Sequence, residues 1–355
     1  MIIYWTLMLI PIAVFFTPIR VDKMLSNILW TIYWIFLTLV IGLRHEVGGD
    51  WNHYLYDNAL YSSLSGVGFF EIFTMNNFLH DIGFLTIHWF SQNIFNGIYT
   101  TNLICAAIFV SGLLRICKST PLPSMALAIA VPYLIVVVAM GYTRQAAAIG
   151  FIMWGLVDLM HGNKGKFYIS VILAILFHKT ALMMMFFGLF SRDFASRAWS
   201  KKDYLIIVLM LIFVYSIYTI LEHMVYFYIT NTDMQSSGAL VRVSMCVVTA
   251  LVFLVFKKSW DEVYEDGHIW KIFSIAVIIT LPLVFLISTT IDRLALYLIP
   301  MQIVIFPRVL VLISNHNTRH LFLVSILTMY ALTLYVWINY ATHSVYWLPY
   351  DNILL

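Results

Sequence analysis

Charge is what this chain has least of. Asp, Glu, Lys and Arg make up 10% of it and hydrophobic residues 62%. Ordinary globular domains carry about a quarter charged residues, so a soluble domain is excluded and an integral membrane protein expected. Strict alternation of apolar and polar residues is also missing, which excludes a transmembrane β-barrel. Cysteine is scarce. Cys105, Cys117 and Cys246 lie in or beside apolar runs without metal-type spacing, so buried thiols are favoured over a disulfide or a zinc site. There is no Asp-x-Asp or tight carboxylate cluster for a hard divalent cation, no glycine-rich phosphate loop and no metalloprotease His-Glu motif. The expectation is therefore of no metal and no cofactor. A net charge of +3 gives nucleic-acid recognition no support. The first segment lacks the basic start and small-residue cleavage site of a signal peptide and is read as the first span.

What the chain has in quantity is apolar runs, many of about 18–20 residues, the length of helix that crosses a hydrocarbon core and satisfies its own backbone there. They fall near 2–18, 25–43, 97–114, 122–139, 145–160, 167–177, 180–190, 204–221, 239–256, 271–288, 294–312 and 321–339. The expected fold is all-α: one polytopic bundle over 1–355, of about 11–12 spans, some short or re-entrant. The runs 167–177 and 180–190 are each too short to cross alone; they form either a partial hairpin or one tilted helix. Alternate loops carry Arg20 and Lys23, Arg115 and Lys118, Lys164 and Lys166, Arg192 to Lys202, Lys257 to Lys271, and Arg308 and Arg319. The positive-inside rule places these in the cytoplasm. The remaining basic residues, Arg44, Arg144, Lys179, Arg242 and Arg293, then sit at outer ends of spans. Residues 44–96 become a long outer loop, with one or two interfacial helices expected within 69–95.

Each outer basic residue stands in a polar motif. The densest is Arg-His-Glu-Val-Gly-Gly-Asp-Trp-Asn-His-Tyr from Arg44 to Tyr54. Gly48-Gly49 permits a tight turn with positive φ that aims Asp50 back at Arg44. The plain reading is a salt-bridged loop cap. The functional one is an anion site at Arg44 with a general base from Asp50, Glu46 or His53. Trp51 and Tyr54 are interfacial belt residues or platforms for sugar rings. Arg144 and Gln145 open the fifth span. A cation there either snorkels or holds an anion, since the helix N-terminus itself does not favour it. His178-Lys179 interrupts an oily run, where a lysine costs about 2.5–3.5 kcal/mol on insertion scales. It is either an outer turn or a phosphate-binding lysine beside a proton-transferring histidine. Arg293 and Tyr297 share a helix face, and Arg242 begins a later span. Several arginines at one depth suit a polyanion, because guanidinium binds phosphate oxygens two at a time. The tail Val345 to Asp351 is aromatic and reads as an anchoring belt.

Taken in order, Arg-x3-Gly-x-Asp-x3-Tyr (Arg44, Gly48, Asp50, Tyr54), Asp81 ahead of Gly83-Phe84, Arg-Gln-Ala-x-Ala (Arg144 to Ala148), His-Lys-Thr-Ala-Leu (His178 to Leu182) and Arg-x3-Tyr (Arg293, Tyr297) resemble the EpsG family, a branch of the Wzy-type polymerases of O-antigen, capsule and exopolysaccharide. The resemblance runs from about residue 1 to 351, and Asp81 stands where a glutamate is more usual. It implies a fold similar to the GT-C membrane glycosyltransferases. It implies a bacterial plasma-membrane enzyme acting at the outer face on an undecaprenyl-pyrophosphate-linked oligosaccharide, with membrane lipid and a chain-length regulator protein as partners. A metal-independent, inverting transfer is expected, with Asp50 or His178 as base and Glu46 and His53 behind them. Arg44, Arg144, Lys179, Arg242 and Arg293 would carry the leaving group's charge. A single-sugar transferase, an O-antigen ligase, or a transporter or flippase of lipid-linked oligosaccharide are the competing readings. Ionisable residues gathered at the outer edge, without repeated halves, favour surface chemistry over transport.

Overall fold

Two helices begin the chain in the computed structural model, which describes residues 1–17, 22–56, 81–94, 97–189, 204, 207, 208, 211, 215 and 238–354. Helix α1 spans Ile2–Phe16 and α2 Lys23–Gly42. Asp22 starts α2: its carboxylate accepts from the Leu25 N–H at 2.6 Å, filling one of the donors a helix start leaves empty. After the short strand β1 (Arg44–His45) come α3 (Ile82–Ile94), α4 (Ile98–Lys118) and α5 (Pro123–Ala130). The last continues as a π-helical stretch, Val131–Ala139, containing Pro132. Proline brings no N–H to the ladder, which fits the departure from α-helical bonding there.

Helix α6 (Thr143–Met160) packs on α4 with backbone almost touching backbone. A Cβ added to Gly112 would lie 2.0 Å from the Gly150 carbonyl, and one on Gly150 would lie 2.6 Å from Phe109 Cα. Small residues at a helix crossing allow this approach, and close packing is what drives helix association in lipid. Helix α7 (Lys164–Phe177) returns along α6 and stops at His178, whose backbone is extended. The chain resumes as a 3₁₀ turn, Lys179–Met184, and a short α8, Met185–Leu189. The interruption expected in the oily stretch 167–190 is therefore a real break.

The second half holds α9 (Ala239–Asp261), α10 (Gly267–Leu283), α11 (Ser288–Ala295), α12 (Pro300–Leu312) and α13 (His316–Tyr340). One run over 294–312 was expected; the chain instead bends by 54° between α11 and α12. Tyr297, Leu298, Met301 and Gln302 all donate to the residue three back, tightening the chain where Pro300 has nothing to donate. Among the described residues four helices are long and apolar enough to cross a membrane (α2, α4, α9 and α13), or five if the bent pair α11–α12 is one span. Helix α1, α5 with its π continuation, the 179–189 segment and α10 are shorter and apolar. The architecture is thus the all-α polytopic membrane protein that the composition required. Side chains such as Ile32 on α2 and Val324 on α13 point outward, as helices solvated by hydrocarbon do. The run 204–221 lies almost wholly outside the described residues, as does 57–80. Within 81–94 the expected loop helix is present as α3, packed on α4 and α7.

The aromatic tail is more than a belt. Trp347 is buried, donates to the Val136 carbonyl at 2.8 Å, and its own carbonyl accepts from the Tyr4 hydroxyl at 2.6 Å. Strand β2 (Asp351–Asn352) then pairs antiparallel with β1, Arg44 opposite Asn352. A buried indole needs a partner for its N–H, and the π-helical carbonyl supplies it. At the far end of α10 and α12 another closed cluster forms. Asp266 accepts from Trp260 and Trp270 at 3.0 Å each and from Arg308 at 2.6 Å. The Arg308 guanidinium also faces the Tyr264 ring at 4.5 Å. All three cysteines are buried and free.

Candidate functional site

The segment after β1 is pinned on both sides. Gly48 has φ +115°, and a Cβ there would sit 2.1 Å from the Met140 carbonyl, so glycine is required twice over. Its N–H donates to the Tyr346 carbonyl at 2.8 Å. Gly141, just before α6, lies against the Trp347 ring, 2.4 Å from where a Cβ would stand. The tail therefore wedges the Gly48 turn against the start of α6. From Asp50 the chain enters a helical stretch over 51–56. Asp50 and Tyr54 come four residues apart on one face.

Around that start, residues from five separate parts of the chain meet. The Tyr54 hydroxyl lies 3.5 Å from Asp50 Oδ2 and accepts from the Arg144 backbone N–H at 3.4 Å. The Arg144 guanidinium lies over the Tyr54 and Phe84 rings at 5.8 and 5.6 Å and 3.8 Å from Asp81 Oδ2. Gln145 Nε2 donates to the Arg293 carbonyl at 2.8 Å. Thr180 Oγ1 is 2.5 Å from His178 Nδ1 and donates to the Tyr297 hydroxyl at 3.2 Å. Asp50, Asp292 and Arg293 are all near enough to act on Tyr142. The structure so brings Asp50, Tyr54, Asp81, Arg144, Gln145, His178, Lys179, Arg293 and Tyr297 to one end of the bundle.

Electrostatics separate these groups. Burial raises the Asp50 carboxyl above its ordinary range, against the opposing pull of Arg144 and Arg293 and, more weakly, of His53 and the Tyr54 hydrogen bond. His178, in the break between helices, is lowered to about 3 by burial and then by Arg293, Arg144 and Lys179. It is a neutral imidazole. Its Nδ1 pairs with the Thr180 hydroxyl, which in turn bonds the Tyr297 hydroxyl. The Arg293 guanidinium is exposed and has no hydrogen bond or ion pair among the described residues. A raised carboxylate within electrostatic reach of such a cation can take a proton while an anion is held nearby.

Other expected residues are placed differently. Arg44 is 1% exposed and donates to the Val47 carbonyl at 3.0 Å, the Ile41 carbonyl at 2.6 Å and Thr143 Oγ1 at 2.8 Å. Thr143 passes its proton on to Asn102 Oδ1 at 3.2 Å. Arg44 so ties the end of α2 to the start of α6. Arg242 forms a two-pronged pair with Asp292 and lies over Tyr133 at 5.4 Å. Glu46 is exposed and 3.9 Å from His45 Nε2. His53 is exposed beside Tyr54, with ring centroids 6.5 Å apart. Trp51 is buried against His45 and Tyr99. Thr180, Tyr142, Phe84 and Asp292 were given no role by the sequence. A hydroxyl two residues after the histidine was the available sign for Thr180. Among the described residues no group of three or more His, Cys, Asp or Glu gathers at one point.

The EpsG family model matches residues 27–352. No curated protein and no solved structure matches the chain.

Proposed function

Because the chain belongs to the EpsG family, which is associated with exopolysaccharide and Wzy-type polymerases, we propose that this site polymerises a lipid-linked glycan. The donor is a growing chain on undecaprenyl pyrophosphate. The acceptor is a hydroxyl of the next lipid-linked repeat unit, at the outer face of the plasma membrane. The acceptor oxygen attacks the anomeric carbon, its proton passes to Asp50, and the bond from that carbon to the pyrophosphate oxygen breaks. The electron pair leaves on pyrophosphate, where Arg293 and Arg144 meet the added charge, with Lys179 behind them. One displacement inverts the anomeric centre.

The observation that carries this reading is the Arg293 guanidinium, without a hydrogen bond or ion pair among the described residues, within electrostatic reach of a carboxylate of raised basicity. Asp50 is preferred to His178 as base, because an imidazole lowered to about 3 accepts a proton poorly near neutral pH. His178 Nε2 is left to hydrogen-bond a sugar hydroxyl. Arg44 and Arg242, already engaged, shape the site rather than bind the leaving group.

The test is complementation of a deletion strain, reading surface glycan on a gel alongside membrane abundance. With Arg293→Ala or Asp50→Asn, the ladder collapses to a single repeat unit while abundance holds. Full-length ladders from both variants sink the assignment of the site. Loss of even the single unit on deletion means the protein acts before polymerisation, as a single-sugar transferase or flippase.

A further inference from the structure

A cleft of about 330 Å³ opens at the opposite end of α6, between α6, α7 and the end of α4. Asp158 is 14 residues along α6 from Arg144, or about 21 Å of helix. The two walls run antiparallel and are graded in the same sense. Near the turn that joins them stand Asp158 and Lys166; one helical turn inward come Trp154, Ile169 and Ser170; deeper still, Phe151 faces Leu173. The cleft is charged at its mouth and apolar within. It is also open sideways, since Ile169, Trp154 and Leu173 are 60%, 40% and 37% exposed on the flank of the bundle.

The charge at the mouth does not cancel. Arg115 closes on Asp158 with two hydrogen bonds of 2.8 and 2.9 Å, donates to the Trp154 carbonyl at 3.0 Å and lies 4.2 Å over the Trp154 ring. That fixes Arg115 and neutralises Asp158. Lys166 is exposed and has no ion pair among the described residues, so its ammonium remains. Ser170, four residues on, shares its helix face. A cation with a hydroxyl donor at the interface, above an apolar channel open to hydrocarbon, matches an amphiphile with a negative headgroup. A soluble anion would leave Phe151, Ile169 and Leu173 unused, and a zwitterionic lipid would bring a second cation beside the lysine.

We propose that this cleft holds one phospholipid with an anionic headgroup, its phosphodiester on Lys166 and Ser170 and an acyl chain along Ile169, Leu173 and Phe151. The site is separate from the polymerisation chemistry and stands or falls apart from it.

The experiment is native mass spectrometry of the full chain, released from detergent and titrated with phosphatidylglycerol, with phosphatidylcholine of the same chains, and with glycerophosphoglycerol. The wild type retains one phosphatidylglycerol in preference to phosphatidylcholine. Lys166→Glu weakens that retention about tenfold or more, because it reverses a charge at the interface, and Leu173→Gln weakens it as well. Lys271→Glu removes the same charge from exposed α10 surface and leaves retention unchanged. Equal retention of the two lipids, or equal retention by wild type and Lys166→Glu, overturns the proposal. So does glycerophosphoglycerol binding as tightly as the lipid, which would make the cleft a soluble-anion site.

Discussion

The two ends of the bundle both gather charge, and they use it in opposite ways. Around Asp266 the carboxylate takes three donors and the arginine it holds is sandwiched by aromatic rings. Around Asp50, among the described residues, the carboxylate has one long contact to Tyr54, while Arg293 is left open. Taking an ion out of water is costly, so a buried ion normally survives by collecting partners. A cluster with its partners supplied by the protein is a fastener. One left short of partners is ready for a ligand that brings its own. The same contrast recurs within the candidate site. Arg44 and Arg293 are both arginines of the same end, yet Arg44 is spent on two carbonyls and a hydroxyl.

The contrast breaks most sharply at Asp50. With purified protein and lipid-pyrophosphate oligosaccharide, Asp50→Asn lowers turnover by about 10²–10⁴-fold, the usual worth of a general base. The pH profile carries the sign. A carboxyl raised above its ordinary value must lose its proton before it can accept one, so the wild-type rate climbs as pH rises through that raised value. In Asp50→Asn this acid limb is absent; an unchanged limb would assign the titration elsewhere. Next, Arg293→Ala costs about 10²–10³-fold in turnover, as loss of one charge-stabilising donor does elsewhere, and Arg293→Lys recovers part of it. Asp266→Ala works the other way: stability falls by about 3–5 kcal/mol, since Arg308 is stranded in the interior. Membrane abundance drops, and activity per folded molecule stays within about twofold of wild type. Should activity per molecule collapse, the far cluster is more than a fastener. Arg44→Ala lies between. Its lost hydrogen bonds lower the melting temperature, each stranded buried group costing about 1–3 kcal/mol, while KM for the pyrophosphate donor stays within about twofold. A large rise in that KM would return Arg44 to the substrate. Smallest is Glu46→Gln: an exposed change shifts stability by less than about 0.5 kcal/mol and leaves turnover unaltered.

Much of the site was visible as polarity where oil was expected. Asp50, Arg144, His178 and Arg293 stand out because each sits at the end of an apolar run, where a charge has to be explained. Thr180, Tyr142 and Phe84 do not, since hydroxyls and aromatics are ordinary in such a chain. Trp347 illustrates another limit. An aromatic tail reads as an interfacial belt because Trp prefers that depth. Its burial against Gly141 depends on a glycine two hundred residues earlier leaving room for the ring. The bend between α11 and α12 was hidden for a similar reason. Pro300 marks a place where a helix can break, but membrane helices often absorb proline without doing so.

The sequence by itself determined that this chain is a multi-helix membrane protein, because so few charges and such long apolar runs leave no other stable arrangement. It also marked out which segments are unusually polar, through the rarity of ionisable residues beside hydrocarbon. Tertiary structure alone decided which of five similar cations is open. A hydrogen-bond partner can come from anywhere in the chain: Thr143 reaches Arg44 and Asp292 reaches Arg242 only once α6, α9 and α11 are packed. Whether an arginine binds a ligand or a carbonyl is a property of what surrounds it in space.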